Sequence, residues 1–244
     1  VVQIAFVPFA LPELPSVGFA FTSRRGGASA PPFDAANLSY DVGDNAESVT
    51  RNREALRARL QLEALADCRQ VHQDAVFFDA RPDSGREADG MTTTQAGLGL
   101  MVKTADCQPV LLAHESGRFI AGLHVGWRGN RINFPGSGVR AFCEHYALRP
   151  EELFAVRGPS LGPEEAQFVH FMDEFGPEFS PWYDPATATV NLWQLTRDQL
   201  LRAGLRPERI HGVDLCTKTR SREFYSYRRD KTTGRQAGIV WIRS

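Results

Sequence analysis

The stretch LGLMVKTADCQPVLLAHESGRFIAGLHVGWRGN, residues 98–130, restricts the fold more than any other part of the chain. Its apolar runs 98–104, 109–114 and 119–125 have the length and composition of strands. Only a turn over Glu115–Gly117 separates the second from the third, so those two run antiparallel. Pairing about that turn sets Cys107 and His124 near each other at one end of the hairpin. Cys107 lies just before its strand, and Pro109, which lacks a backbone donor, is expected to open a sheet edge there. His124 runs into Gly-Trp-Arg-Gly, where glycine lets the backbone approach a ligand closely.

Other strand-like runs are 16–22, 74–79, 153–157, 209–215, 223–227 and 237–242. Helical spacing appears over 46–62, 138–146 and 192–203, and Gly204 is placed to end the last of these. Strands that follow one another directly, with few helices between them, predict an α+β fold: a single-domain α/β sandwich over 1–244 with mixed, largely antiparallel sheet. No repeat or long linker divides the chain.

A 42% apolar share is enough to build a core, and a net charge of −1 argues against a nucleic-acid surface. Cysteines 68, 107, 143 and 216 form no CxxC pair or dense framework, so a reducing, cytoplasmic setting is expected. The apolar opening VVQIAFVPFALPELP lacks a basic leader and holds three prolines, which argues against a signal peptide. No apolar run is long enough for a transmembrane helix, so no membrane partner is expected. The sequence leaves the oligomeric state open.

His72, in Gln-Val-His directly before the run 74–79, is the third candidate at the hairpin end. One thiolate and two imidazoles suit Zn²⁺ with an open fourth position, the arrangement of a catalytic metal. The same trio suits a single copper. Cys107 and His124 also suit a metal-free cysteine hydrolase, as nucleophile and base. A multicopper oxidase needs more histidines than the six present. Asp106 could orient a ligand, accept a proton or fix the turn. Arg24 beside Gly26-Gly27, together with Arg128 and Arg228, could hold phosphate. Arg229 is a further anion candidate, Trp127 could stack on a base, and Asp89, in Ala-Asp-Gly, reads as a turn residue.

Three blocks then carry a resemblance: Thr-Ala-Asp-Cys-Gln-Pro-Val-Leu-Leu at 104–112, His-Val-Gly-Trp-Arg-Gly at 124–129, and Phe-Tyr-Ser-Tyr-Arg-Arg-Asp-Lys-Thr-Thr-Gly-Arg at 224–235. Together with weaker matches along nearly the whole chain, they resemble the YfiH-like family, once labelled multicopper polyphenol oxidases or laccase-domain proteins. The resemblance implies an α/β sandwich similar to the toxin-type Cys/His deamidase fold, with zinc on His72, Cys107 and His124. It implies phosphorolysis of purine nucleosides (adenosine, inosine, guanosine or methylthioadenosine) and an adenosine deaminase activity. The chain departs from the family pattern at Glu164, Glu165 and Ala166, and in the stretch from Asn130 to Gly138.

Overall fold

The computed structural model describes residues 2–82 and 85–244. Two sheets form its centre. The first has the order β1 (Ile4–Phe9), β2 (Val17–Gly26), β13 (Gln236–Ile242), β6 (Leu98–Thr104), β3 (Ala64–Ala66). The second has the order β12 (Ile210–Gly212), β9 (Leu153–Arg157), β7 (Gln108–His114), β8 (Ile120–Val125), β5 (Gly90–Thr93), β4 (Val76–Phe77). A small ribbon pairs β10 (Tyr183–Asp184) with β11 (Thr189–Val190). The pairs β12–β9, β3–β6 and β4–β5 are parallel and the remaining ladders antiparallel, as expected of a mixed, largely antiparallel fold.

Strand alternation sorts the apolar residues into layers. From β6, Leu98, Leu100 and Val102 meet Leu111 of β7 and Ile120 of β8 between the sheets. From the same strand Met101 turns outward to Leu56 and Leu60, at the C-terminal end of helix α1 (Ala46–Arg59). On the far side of the second sheet, Val110, Leu112 and Leu123 pack on Phe134 and Phe142 of α3 (Phe134–Tyr146) and Leu200 of α5 (Leu192–Arg202). The result is helix, sheet, sheet, helices. Each fully buried Leu or Phe stabilises it by roughly 1.5–3 kcal/mol relative to exposure. Short helices α2 (Trp127–Arg131), α4 (Phe171–Glu174) and α6 (Tyr227–Asp230) sit in connections. Among the described residues no helix is long and apolar enough to cross a membrane.

Local chemistry sets the helix ends. Asn45 and Asn191 cap α1 and α5, their side chains accepting from the backbone N–H of Ser48 and Gln194. Gly204, at φ +102°, follows the end of α5.

Several expectations need correction. The run 223–227 is no strand. Phe224 and Tyr225 are buried in a loop, and the Gln236 side-chain amide bonds both backbone groups of Tyr225 in place of a partner strand. The runs 74–79 and 209–215 shrink to β4 and β12. Strands β1, β3 and β5 form where none was expected. Pro109 opens no edge, because β7 lies between β9 and β8. It stands opposite His124, whose N–H donates away from it to the Asp89 carbonyl at 2.7 Å. Proline therefore costs no ladder bond to β8.

Candidate metal centre

The chain passes from the first sheet to the second between β6 and β7, through residues 105–107. Cys107 ends that crossing. His124 is the penultimate residue of β8 and points to the inter-sheet side, since its neighbours Leu123 and Val125 pack on the helices. His72 comes from the segment leading to β4 and has a left-handed backbone, φ +61°.

The ligand atoms of His72, Cys107 and His124 all lie within 4.8 Å of one another. Cys107 Sγ is 3.8 Å from His72 Nε2. Zinc bonds of about 2.3 Å to sulfur and about 2.0 Å to nitrogen, set tetrahedrally, place such atoms roughly 3.5 Å apart. The spacing and the donor set therefore fit zinc with a fourth position left open. Gly126 makes room for the group. A Cβ there would lie 3.0 Å from Cys107 Sγ and 3.1 Å from His72 Cδ2. Among the described residues this is the one cluster of three or more such side chains able to hold a metal.

Asp89 holds the cluster from behind. Its carboxylate accepts from the backbone N–H groups of Val71 (3.1 Å), His72 (3.0 Å) and Gln73 (2.8 Å). With those donors on the carboxylate, His124 Nδ1 at 2.7 Å must also donate, which turns Nε2 toward the cluster. The carboxyl is fully buried. Burial raises its pKa, but the His124 and backbone bonds outweigh it and hold the pKa below the ordinary value. A second tether is Gln70, whose amide bonds both backbone groups of Lys103 on β6.

The cluster is itself polarised. Burial opposes ionisation of the Cys107 thiol, yet the neighbouring His124 and His72 bring its pKa down to about 6. Burial likewise opposes the His124 imidazolium, while the Cys107 charge and the Asp89 bond raise its pKa to about 9. Both directions favour a thiolate, the form a metal or an electrophile requires.

The cluster opens into a cavity of about 560 Å³, within the range of small-molecule sites. Trp127, Arg128, Arg228 and Asp106, all expected at the site, line it. Trp127 packs against Phe168 and Phe175, with ring centroids 5.7 and 5.6 Å away, and the Arg128 guanidinium covers its ring at 4.3 Å. Asp106 touches no ligand atom. Its carboxylate takes the Thr217 hydroxyl (2.7 Å) and the Arg228 backbone N–H (2.6 Å), so it fixes the turn, at φ +94°. The carboxylate that orients a ligand is Asp89, which the sequence reading placed in a simple turn.

Arg24 is not at the cavity. It bonds the Asp34 carbonyl and carboxylate and the Ser221 carbonyl, and lies over the Tyr225 ring. Arg229 is likewise taken up by Asp230 and by the carbonyls of Thr217, Lys218 and Phe224. Phe168, the aromatic that follows the departing stretch 164–166, lines the cavity, and sequence reasoning missed Lys103, Gln70, Lys231 and Arg235, which line it too. The block 224–235 carried a signal for the last two. All four cysteines are free thiols.

Comparison with known proteins follows the same lines. A family model described as multi-copper polyphenol oxidoreductase laccase matches residues 18–243. The purine nucleoside phosphorylase YfiH of Escherichia coli is 34% identical over 95% of this chain and 96% of its own length. A purine nucleoside phosphorylase of Pseudomonas aeruginosa is 32% identical over 91% of each. The crystal structure of Neisseria meningitidis protein NMB0706 superposes with a TM-score of 0.86 at 30% identity, covering 98% of this chain and 99% of that one. Bacillus licheniformis YfiH superposes at 0.87 with 25% identity, covering 100% and 97%. With the family model spanning nearly the whole chain and relatives above 30% identity aligned end to end, this chain belongs to the YfiH-like family of laccase-domain proteins.

Proposed function

We propose that the chain is a zinc-dependent purine nucleoside phosphorylase acting on adenosine, inosine, guanosine or methylthioadenosine. The observation that carries this reading is the convergence of His72, Cys107 and His124 on one cavity that also holds an aromatic wall and several cations. The phosphorylase names of the relatives support the chemistry. Zinc bound there would supply Lewis acidity beside the substrate.

The protein's own side chains do the rest. Trp127 and Phe168 form the wall against which the base lies. Arg128 and Arg228 hold anionic oxygens, and Asp106 fixes the Arg228 backbone so that its side chain stays over Phe168. Asp89 keeps His124 and the His72 loop in place. A phosphate oxygen bonds to the sugar C1′ as the C1′–N9 bond breaks with its electron pair going to the base. The proton that phosphate gives up on becoming an ester is the one the departing base takes up. Positioning supplies the rate, because phosphate and C1′ meet in a fixed orientation.

Adenosine deamination, in which water replaces the amine at the purine C6 and ammonia leaves, belongs to the same reading, as does a cytoplasmic location. A polyphenol oxidase with several coppers has less support, since the described residues gather a single three-ligand group. Zinc-loaded protein mixed with each nucleoside is expected to release free base and pentose 1-phosphate only when phosphate is present, by mass spectrometry. Elemental analysis is expected to give one metal per chain. Base release independent of phosphate, or three to four tightly held coppers, would overturn the reading.

A further inference from the structure

We propose that Arg235 is the anchor of the phosphate co-substrate, with Arg228 at its flank; the assignment rests on the phosphorolysis reading above. Arg235 lines the cavity and is half-buried. Its Nη1 donates to the Thr233 and Gly234 carbonyls at 2.8 and 3.0 Å, which fixes the guanidinium from one side. Among the described residues its Nε and Nη2 have no hydrogen-bond acceptor, and its side chain has no carboxylate partner. Of the other cations, Arg128 and Lys231 lie over the Trp127 and Tyr227 rings, and two more already have carboxylate partners. Lys103 is paired with Asp41 and Asp67 at 3.2 and 2.7 Å, and Arg24 with Asp34 at 3.3 Å.

A half-buried guanidinium without a counter-ion is costly to keep, and an arriving anion repays that cost. Burial lowers the Arg235 pKa, and the opposing charges of Cys107 and Asp106 are the next influences on it. Arg235 and the ligand cluster line the same cavity. The backbone explains the placement. Arg235 directly precedes β13, whose first residue, Gln236, is paired with Thr104 at the start of the crossing that carries Cys107. A side chain rooted at a strand end is held more firmly than one on a free loop.

The same segment delivers Arg228 and Lys231 to the cavity. Arg228 Nη1 donates to the Gln167 carbonyl at 2.6 Å and its guanidinium lies over Phe168 at 5.3 Å, so it reaches across toward the aromatic wall. The free edge of the Arg235 fork matches two phosphate oxygens, a match an ammonium cannot reproduce.

The test is calorimetric titration of zinc-loaded protein with inorganic phosphate, alongside steady-state kinetics, for wild type, Arg235→Gln, Arg235→Lys and Arg24→Ala. Arg235→Gln is expected to weaken phosphate Kd and KM by about tenfold or more, with nucleoside KM and zinc content close to wild type. Arg235→Lys, which keeps the charge and guards against a folding artefact, is expected to fall between, and Arg24→Ala to bind phosphate as wild type does. Unchanged phosphate affinity in zinc-loaded Arg235→Gln, or no phosphate binding by wild type, would overturn the anchor. Wild type that binds phosphate through Arg235 yet releases no base would leave the anchor standing and remove phosphorolysis instead.

Discussion

His114 and His124 stand at opposite ends of the β7–β8 hairpin, and each faces a carboxylate. His114 Nε2 lies 3.1 Å from Glu152 and His124 Nδ1 lies 2.7 Å from Asp89. The difference is in the second nitrogen. His114 spends its Nδ1 on Ser116, whose hydroxyl lies at 2.9 Å and whose backbone N–H donates at 3.1 Å. Both nitrogens are consumed within the protein, and the residue ties down a turn. His124 turns its second nitrogen to Cys107 and His72. The carboxylates differ in the same sense. Glu152 takes an exposed Arg149, whereas Asp89 gathers three backbone donors from the loop that carries another ligand. A histidine–carboxylate pair is thus a structural staple or part of a candidate metal centre, according to what its second nitrogen faces.

The sharpest way to break this contrast is to remove the histidines and the thiol. Cys107→Ser and His124→Ala are each expected to lose most of the bound metal and nearly all nucleoside turnover. Their melting temperatures should stay near that of the metal-stripped parent, the proper reference because a ligand stabilises the native state. The double variant should be no worse than either single one, since both disable one unit. His114→Ala should keep metal and turnover. Full metal and turnover in Cys107→Ser, measured by elemental analysis and product assay, would abolish the distinction between the two ends.

A smaller effect is expected at the carboxylates. Asp89→Asn should weaken metal affinity by roughly 10–100-fold, as loss of a partner that orients a metal-binding imidazole does. Glu152→Gln should leave affinity unchanged in a competition titration with a chelator. Equal effects at both positions would mean that Asp89 acts through stability alone.

The smallest effect concerns acid. The bonds to Arg149 and His114 hold the Glu152 carboxyl at about 2, below its ordinary 4.5. A folded-state value below the free one means that its contribution is complete above 4.5 and fades as pH falls toward 2. Glu152→Gln should therefore flatten the fall in melting temperature over that acid range. Its partner Arg149 is exposed and the pair lies at the surface, where solvent screens it, so the change should be slight. An unaltered slope would discard the staple role.

The hairpin was legible because a short turn between two apolar runs leaves little freedom of register. The observed pairing of Pro109 with His124 leaves Cys107 just beyond the strand, beside the histidine. His72 entered as a third candidate, and its spatial closeness depends on Asp89 and Gln70, whose bonds link residues distant along the chain. That is why Asp89 read as a turn residue and Asp106 took its place in the reading: adjacency in sequence is visible, and adjacency across a sheet is not. Arg24 misled for the same reason, since Asp34 and Ser221 neutralise it through the fold. The run 223–227 has strand composition, and only the Gln236 amide, arriving from β13, shows why it is a loop.

The crossing at 105–107 has a consequence for how the molecule withstands change. The site draws one ligand from the link between the sheets and two from the second sheet and its approach. Bound metal would behave as a rivet at that seam, and by reciprocity the seam governs how tightly the rivet is held. A substitution deep in the inter-sheet core, such as Val102 or Leu111 to alanine, touches no ligand yet can let the two sheets shift apart. Loss of metal would then report on the core before any loss of helix or strand was visible, which makes chelator sensitivity a gauge of packing quality across the whole sandwich.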